Sequence, residues 1–95
     1  MSAESKLQSN IRKYLRSKGC YVLVIKPHPG IPDGCPDIIF MLEGFWGALE
    51  VKGGLRSKFQ PLQEDTLLKL DKWSYAKVVF PEIWPEVQEE LERML

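Results

Sequence analysis

Apolar positions along the chain change period several times, and each change marks an element. Leu7, Ile11, Tyr14 and Leu15 recur at three- and four-residue intervals, which predicts a helix from Ala3 to about Lys18. Ser2 is placed to cap its start and Gly19 to stop it. Cys20 to Lys26, CYVLVIK, is rich in β-branched and aromatic residues and ends at Pro27, so it reads as a strand. The next ten residues, PHPGIPDGCP, hold four prolines and two glycines and must be a loop shaped by its own turns. Asp37 to Leu42 is a second strand, Glu43-Gly44 a tight turn, and Phe45 to Lys52 a third strand.

After Gly53-Gly54, helical spacing returns from Lys58 to about Lys72, with Phe59, Gln63, Leu67 and Leu70 on one stripe. Ala76 to Phe80 forms a fourth strand. Beyond Pro81 and Pro85, Glu86 to Leu95 reads as a closing helix with Val87, Leu91 and Met94 inward. The predicted order is α-β-β-β-α-β-α. An antiparallel meander followed by a strand-helix-strand unit implies an α/β fold with a mixed β-sheet flanked by helices.

Length and composition narrow the function. Ninety-five residues suit one small domain, 1–95, with one core and no separate substrate-binding unit. No apolar run approaches the ~18 residues of a membrane span, and the polar start MSAESKLQSN lacks the apolar stretch of a secretion signal, which implies a cytoplasmic protein. Cys20 and Cys35 have no metal-ligand spacing and read as reduced thiols. Thirteen basic against thirteen acidic residues give zero net charge, which speaks against a nucleic-acid binder that relies on bulk positive charge. That objection weakens if carboxylates are occupied by a divalent cation. Lys6, Arg12, Lys13, Arg16 and Lys18 crowd the first helix.

The charged residues that fall inside these elements carry the chemistry. On the third strand Glu50 and Lys52 share one side while Leu49 and Val51 take the other. Asp37 opens the neighbouring strand, so two carboxylates converge at one end of the sheet. Glu4 lies on the stripe that buries the first helix, and Gln63 on the stripe that buries the second. Burying unpaired carboxylates costs on the order of several kcal/mol, so the cluster calls for a cation. Oxygen ligands suit Mg²⁺ or Mn²⁺, which activates water and stabilises charge on a phosphodiester. Taken alone, Glu50 and Lys52 fit a solvated strand face, Asp37 a turn residue, Glu4 a helix N-terminal carboxylate and Gln63 a cap or core amide.

Together the residues resemble a family. Asp37 in GCPD followed by Glu50-Val51-Lys52 is similar to the Asp…Glu-x-Lys signature of the PD-(D/E)xK nucleases. A leading helix with Glu4 and Gln8, the Gly34, Pro36, Asp37 spacing, Gly53 after the lysine, Ser57, and PLQ ending at Gln63 resemble the virus-type replication-repair nuclease (VRR-NUC) branch. The resemblance runs from Glu4 to about Pro85. It implies a restriction-endonuclease-like fold and metal-dependent hydrolysis of DNA. By position, Asp37 and Glu50 would bind Mg²⁺ or Mn²⁺ with the Val51 carbonyl as third ligand. Lys52 would be the catalytic lysine, with Glu4 and Gln63 supporting it, and Lys26, His28, Gly53, Ser57 and Lys58 would contact DNA. Stand-alone members of the branch imply a homodimer that cleaves branched DNA such as a four-way (Holliday) junction. A flap or non-specific nuclease, and a catalytically silent DNA-binding or assembly module of the same fold, remain as alternatives.

Overall fold

In the computed structural model, residues 2–56 and 61–95 are described. The chain runs α1 (Ala3–Ser17), β1 (Tyr21–Val24), β2 (Ile38–Leu42), β3 (Phe45–Val51), α2 (Pro61–Trp73), β4 (Tyr75–Val79) and α3 (Trp84–Met94). Ser2 caps α1: its hydroxyl accepts the Ser5 amide at 3.1 Å, satisfying one of the helix's unpaired donors. Gly19, with φ of +86°, lets the chain turn away from the helix end.

The strands form one sheet in the order β1-β2-β3-β4. The first three pair antiparallel, and β4 joins β3 in parallel after the α2 crossover. Alternation along β3 then decides what each face holds. Leu49 and Val51 point into a core with Leu7, Ile11 and Leu15 of α1, Phe40 of β2, and Val87 and Leu91 of α3. Ala48 points the other way, to a smaller cluster with Ala76 of β4 and Leu67 of α2. The protein is therefore three layers, with α1 and α3 on one side of the sheet and α2 on the other. Gly47 lies opposite Phe40 in the β2–β3 register, and a Cβ at this position would stand 2.3 Å from the Phe40 ring, so the ring is seated against bare backbone.

The element order, the mixed sheet and the helical flanks agree with the sequence expectation, and the differences lie at the ends. The first strand is four residues, Tyr21–Val24, rather than seven; Cys20 is instead buried in the core. The last helix begins at Trp84, with Pro85 inside its first turn, where a missing N–H breaks no helical bond. Met94, expected inward, is 44% exposed, and Leu95 packs on the core instead. The predicted start of the second helix, with Lys58 and Phe59, falls outside the described residues. Trp84 stands edge-on to Tyr14 at 5.5 Å, joining α3 to α1, whereas Trp73 is 64% exposed. Among the described residues no helix is long and apolar enough to cross a membrane.

Candidate active site

At the C-terminal end of β3 the small side of the sheet receives its polar residues. Glu50 shares the Ala48 face, where small side chains leave room beneath α2, and it is only 3% exposed. Gln63, in the first turn of α2, reaches down to it: the amide nitrogen donates to Glu50 Oε2 at 3.0 Å. The Gln63 Oε1 accepts from Lys52 Nζ, also at 3.0 Å, and the same Nζ lies 3.4 Å from Glu50 Oε2. One glutamine thus orients both the acid and the base of the strand.

Asp37 arrives from the other side. Strand β2 begins only at Ile38, opposite Leu49, so β3 extends past its neighbour. The freed Val51 N–H donates to Asp37 Oδ2 at 2.8 Å. In a strand the N–H and C=O of one residue face the same edge, so the Val51 carbonyl is directed to the Asp37 side as well. The Asp37 carbonyl accepts the Ile25 amide at 2.7 Å, which ties the residue to the end of β1.

Glu50 is the electrostatic focus. Burial is the main cause that pushes its carboxyl up to about 7 from an ordinary 4.5, and the charge of Asp37 adds to it, while Lys52 pulls the other way. Glu50 Oε1 is buried and, among the described residues, accepts no hydrogen bond. A buried acceptor left without a donor is expensive. The remaining lone pairs of a two-carboxylate cluster with a backbone carbonyl match what a hard divalent cation takes. Among the described residues no group of three His, Cys, Asp or Glu side chains converges as a metal site, so two carboxylates are what this cluster offers such an ion.

The other expected site residues distribute unevenly. Glu4 is exposed rather than on the buried stripe, because the first turn of α1 projects past the end of the core. It nevertheless lies next to the site, approaching from the opposite layer: a Cβ on Gly53 would be 3.7 Å from Glu4 Cβ. Lys26 and His28 are exposed on the loop that follows β1. Ser57 and Lys58 lie outside the described residues. The basic residues of α1 sit on the layer away from α2, and Lys18 is engaged with Glu92 at 2.6 Å.

One neighbour went unnoticed in the sequence. The Cys35 thiol is pushed up by burial and then by the charges of Glu50 and Asp37, so it stands protonated against the two carboxylates. The loop spacing gave no signal for this, since only the fold back of residues 27–36 brings Cys35 there.

No protein-family model matches this chain, and no curated protein matches it. Its structure is similar to a solved structure of Archaeoglobus fulgidus Hjc, a Holliday junction resolvase from an archaeal hyperthermophile, with a TM-score of 0.59 and 18% identity. The likeness covers 80% of this chain and 66% of that one, so the match spans just under two thirds of the Hjc chain. At that identity the likeness speaks for the fold, and the mixed four-stranded sheet with helices on both sides is a restriction-endonuclease-like architecture.

Proposed function

We propose that this protein is a Mg²⁺- or Mn²⁺-dependent DNA endonuclease with a PD-(D/E)xK site of the VRR-NUC type, selective for branched DNA such as a four-way junction. The observation that carries the reading is Glu50: a buried carboxylate oxygen with no hydrogen-bond partner among the described residues, beside a second carboxylate. Such a pair is costly without a counter-charge, and among the described residues Lys52 is the cation paired with it. Asp37, Glu50 and the Val51 carbonyl would hold the cation, which when bound polarises a phosphoryl oxygen and acidifies a water.

The chain's own groups do the rest. Lys52, held between Gln63 Oε1 and Glu50 Oε2, sets a positive charge where the phosphodiester gains negative charge in the transition state. Gln63 positions that ammonium and keeps Glu50 Oε2 turned toward it. Glu4 adds a carboxylate at the rim beside Gly53. Lys26, His28 and Gly53 contact the DNA backbone, joined by Ser57 and Lys58. Two copies related by a two-fold axis would address two strands of a junction, the arrangement paired incision needs. The likeness to a Holliday junction resolvase favours the four-way junction over other branched substrates.

A panel of end-labelled DNAs (four-way junction, flap, nicked and linear duplex) incubated with Mn²⁺, Mg²⁺ or chelator tests this. Junction cleavage that needs the metal supports the reading. A flap preference would replace the substrate, and no cleavage of any member with either metal would leave a silent binding module instead.

A further inference from the structure

Beside the carboxylates lies a cavity of about 360 Å³, walled by the loop between β1 and β2 and opening onto Asp37 and Gln63. Its lining is mixed: Ile25, Pro27, Ile31 and Pro32 give it apolar wall, and the rest is polar. Among the described residues the charged side chains that line it are Asp33 and Asp37, with no lysine or arginine beside them, which suits a neutral ligand that donates hydrogen bonds. His28 also lines it, and its Nδ1 accepts the Gly30 amide at 3.1 Å. That bond leaves the proton of the neutral ring on Nε2 and holds the ring in one orientation.

The cavity is built in advance. Ile31 N–H donates to the His28 carbonyl at 2.9 Å and Cys35 N–H to the Pro32 carbonyl at 3.3 Å, two turns in succession. Gly34, with φ of +83°, presses the loop onto α2 so closely that a Cβ would fall 2.6 Å from the Leu62 carbonyl oxygen. A preformed cavity that offers both apolar wall and hydrogen-bonding groups is how proteins receive a base taken out of its stack, and a nucleobase, of the order of 100–150 Å³, fits within it.

We propose that this cavity receives an unpaired nucleobase adjacent to the phosphodiester that Lys52 faces beside the cation site of Asp37 and Glu50. The inference rests on the nuclease reading above and adds the source of its selectivity. Branch points supply unstacked nucleotides at little cost, while continuous duplex must first break a stack. The acceptors Asp33 and Asp37 favour bases with an exocyclic amino group, cytosine, adenine and guanine, over thymine.

The test uses a four-way junction with 2-aminopurine at the nucleotide next to the cleaved phosphate, bound with Ca²⁺ in place of Mg²⁺. Extrusion into the cavity raises the fluorescence several-fold. In parallel, an abasic site at that position lowers kcat/KM about tenfold with Mg²⁺, the size of one lost stacking partner. Ile31→Trp fills the slot, removing the fluorescence rise and bringing the base-to-abasic ratio to about one. Asp33→Asn, an exposed loop substitution that leaves the packing alone, narrows the preference for amino-bearing bases over thymine, and it decides the matter together with the abasic series if Ile31→Trp does not fold. Metal-dependent cleavage with no fluorescence change, or an abasic substrate cut as fast as the parent, overturns the base pocket and leaves the nuclease standing. Absence of cleavage across the whole substrate panel overturns both.

Discussion

The two faces of β3 differ sharply although they are one residue apart in sequence. On one, Leu49 and Val51 are fully buried among leucines, isoleucine and phenylalanine from three other elements. On the other, Ala48 and Ala76 are met by Leu67, and the same face ends in Glu50. The first face is large and mainly apolar, so it carries most of the stability. The second is shallow, so α2 can lie near enough for Gln63 to reach a buried carboxylate. A strand in this protein thus serves two purposes by alternation alone.

Substitutions that exchange the properties of the two faces should separate stability from activity. Lys52→Ala on the site side should lower metal-dependent cleavage by about 10³-fold, the scale of losing a preorganised charge at the reacting phosphate, with the thermal midpoint nearly unchanged. Cleavage within tenfold of the parent would remove Lys52 from the reaction. Leu49→Ala on the core side should do the reverse, destabilising by about 3 kcal/mol and lowering Tm by more than about 10 °C, with the residual folded fraction still active.

Glu50→Gln sharpens the comparison through pH. Because the folded protein raises this carboxyl to about 7 from 4.5, the metal-free domain is favoured with Glu50 protonated. That contribution is complete below about 4.5 and is lost as pH rises through about 7. Denaturant titrations without metal should therefore show stability falling across that window, and Glu50→Gln should abolish the fall and exceed the parent at pH 8 by an amount on the order of 2 kcal/mol. Mn²⁺ should restore the parent at pH 8 and leave the variant unmoved. Least of all, Ser2→Ala removes the α1 cap and should cost about 1 kcal/mol locally, seen as faster amide exchange at Ser5 and Lys6 with little change in Tm.

Much of the fold and part of the site were legible along the chain. Strand β3 was legible because alternation in FWGALEVK assigns Glu50 and Lys52 one side, and the short Glu43-Gly44 turn forces β2 beside it, bringing Asp37 to the same end. Gln63 was legible because helical spacing ties it to Leu67 on the face that meets the sheet. Glu4 was misread for the converse reason: periodicity tells which stripe of α1 faces inward and nothing about where the helix ends relative to the sheet. The proline-rich loop announced turns without announcing their direction, so the approach of Cys35 to the carboxylates and the cavity over Asp37 and Gln63 stayed hidden.

Local rules therefore set the elements, their order, the two faces of the sheet and the residue types of the site, since period, caps and turns act over a few residues. Tertiary structure alone decided that Gln63 joins Glu50 to Lys52, that Val51 N–H holds Asp37, that Glu50 Oε1 is left without a partner among the described residues, and that a loop folds back to wall a cavity. Those outcomes depend on distances between residues far apart in the chain, which the packing of α2 and the β1–β2 loop on one sheet face fixes.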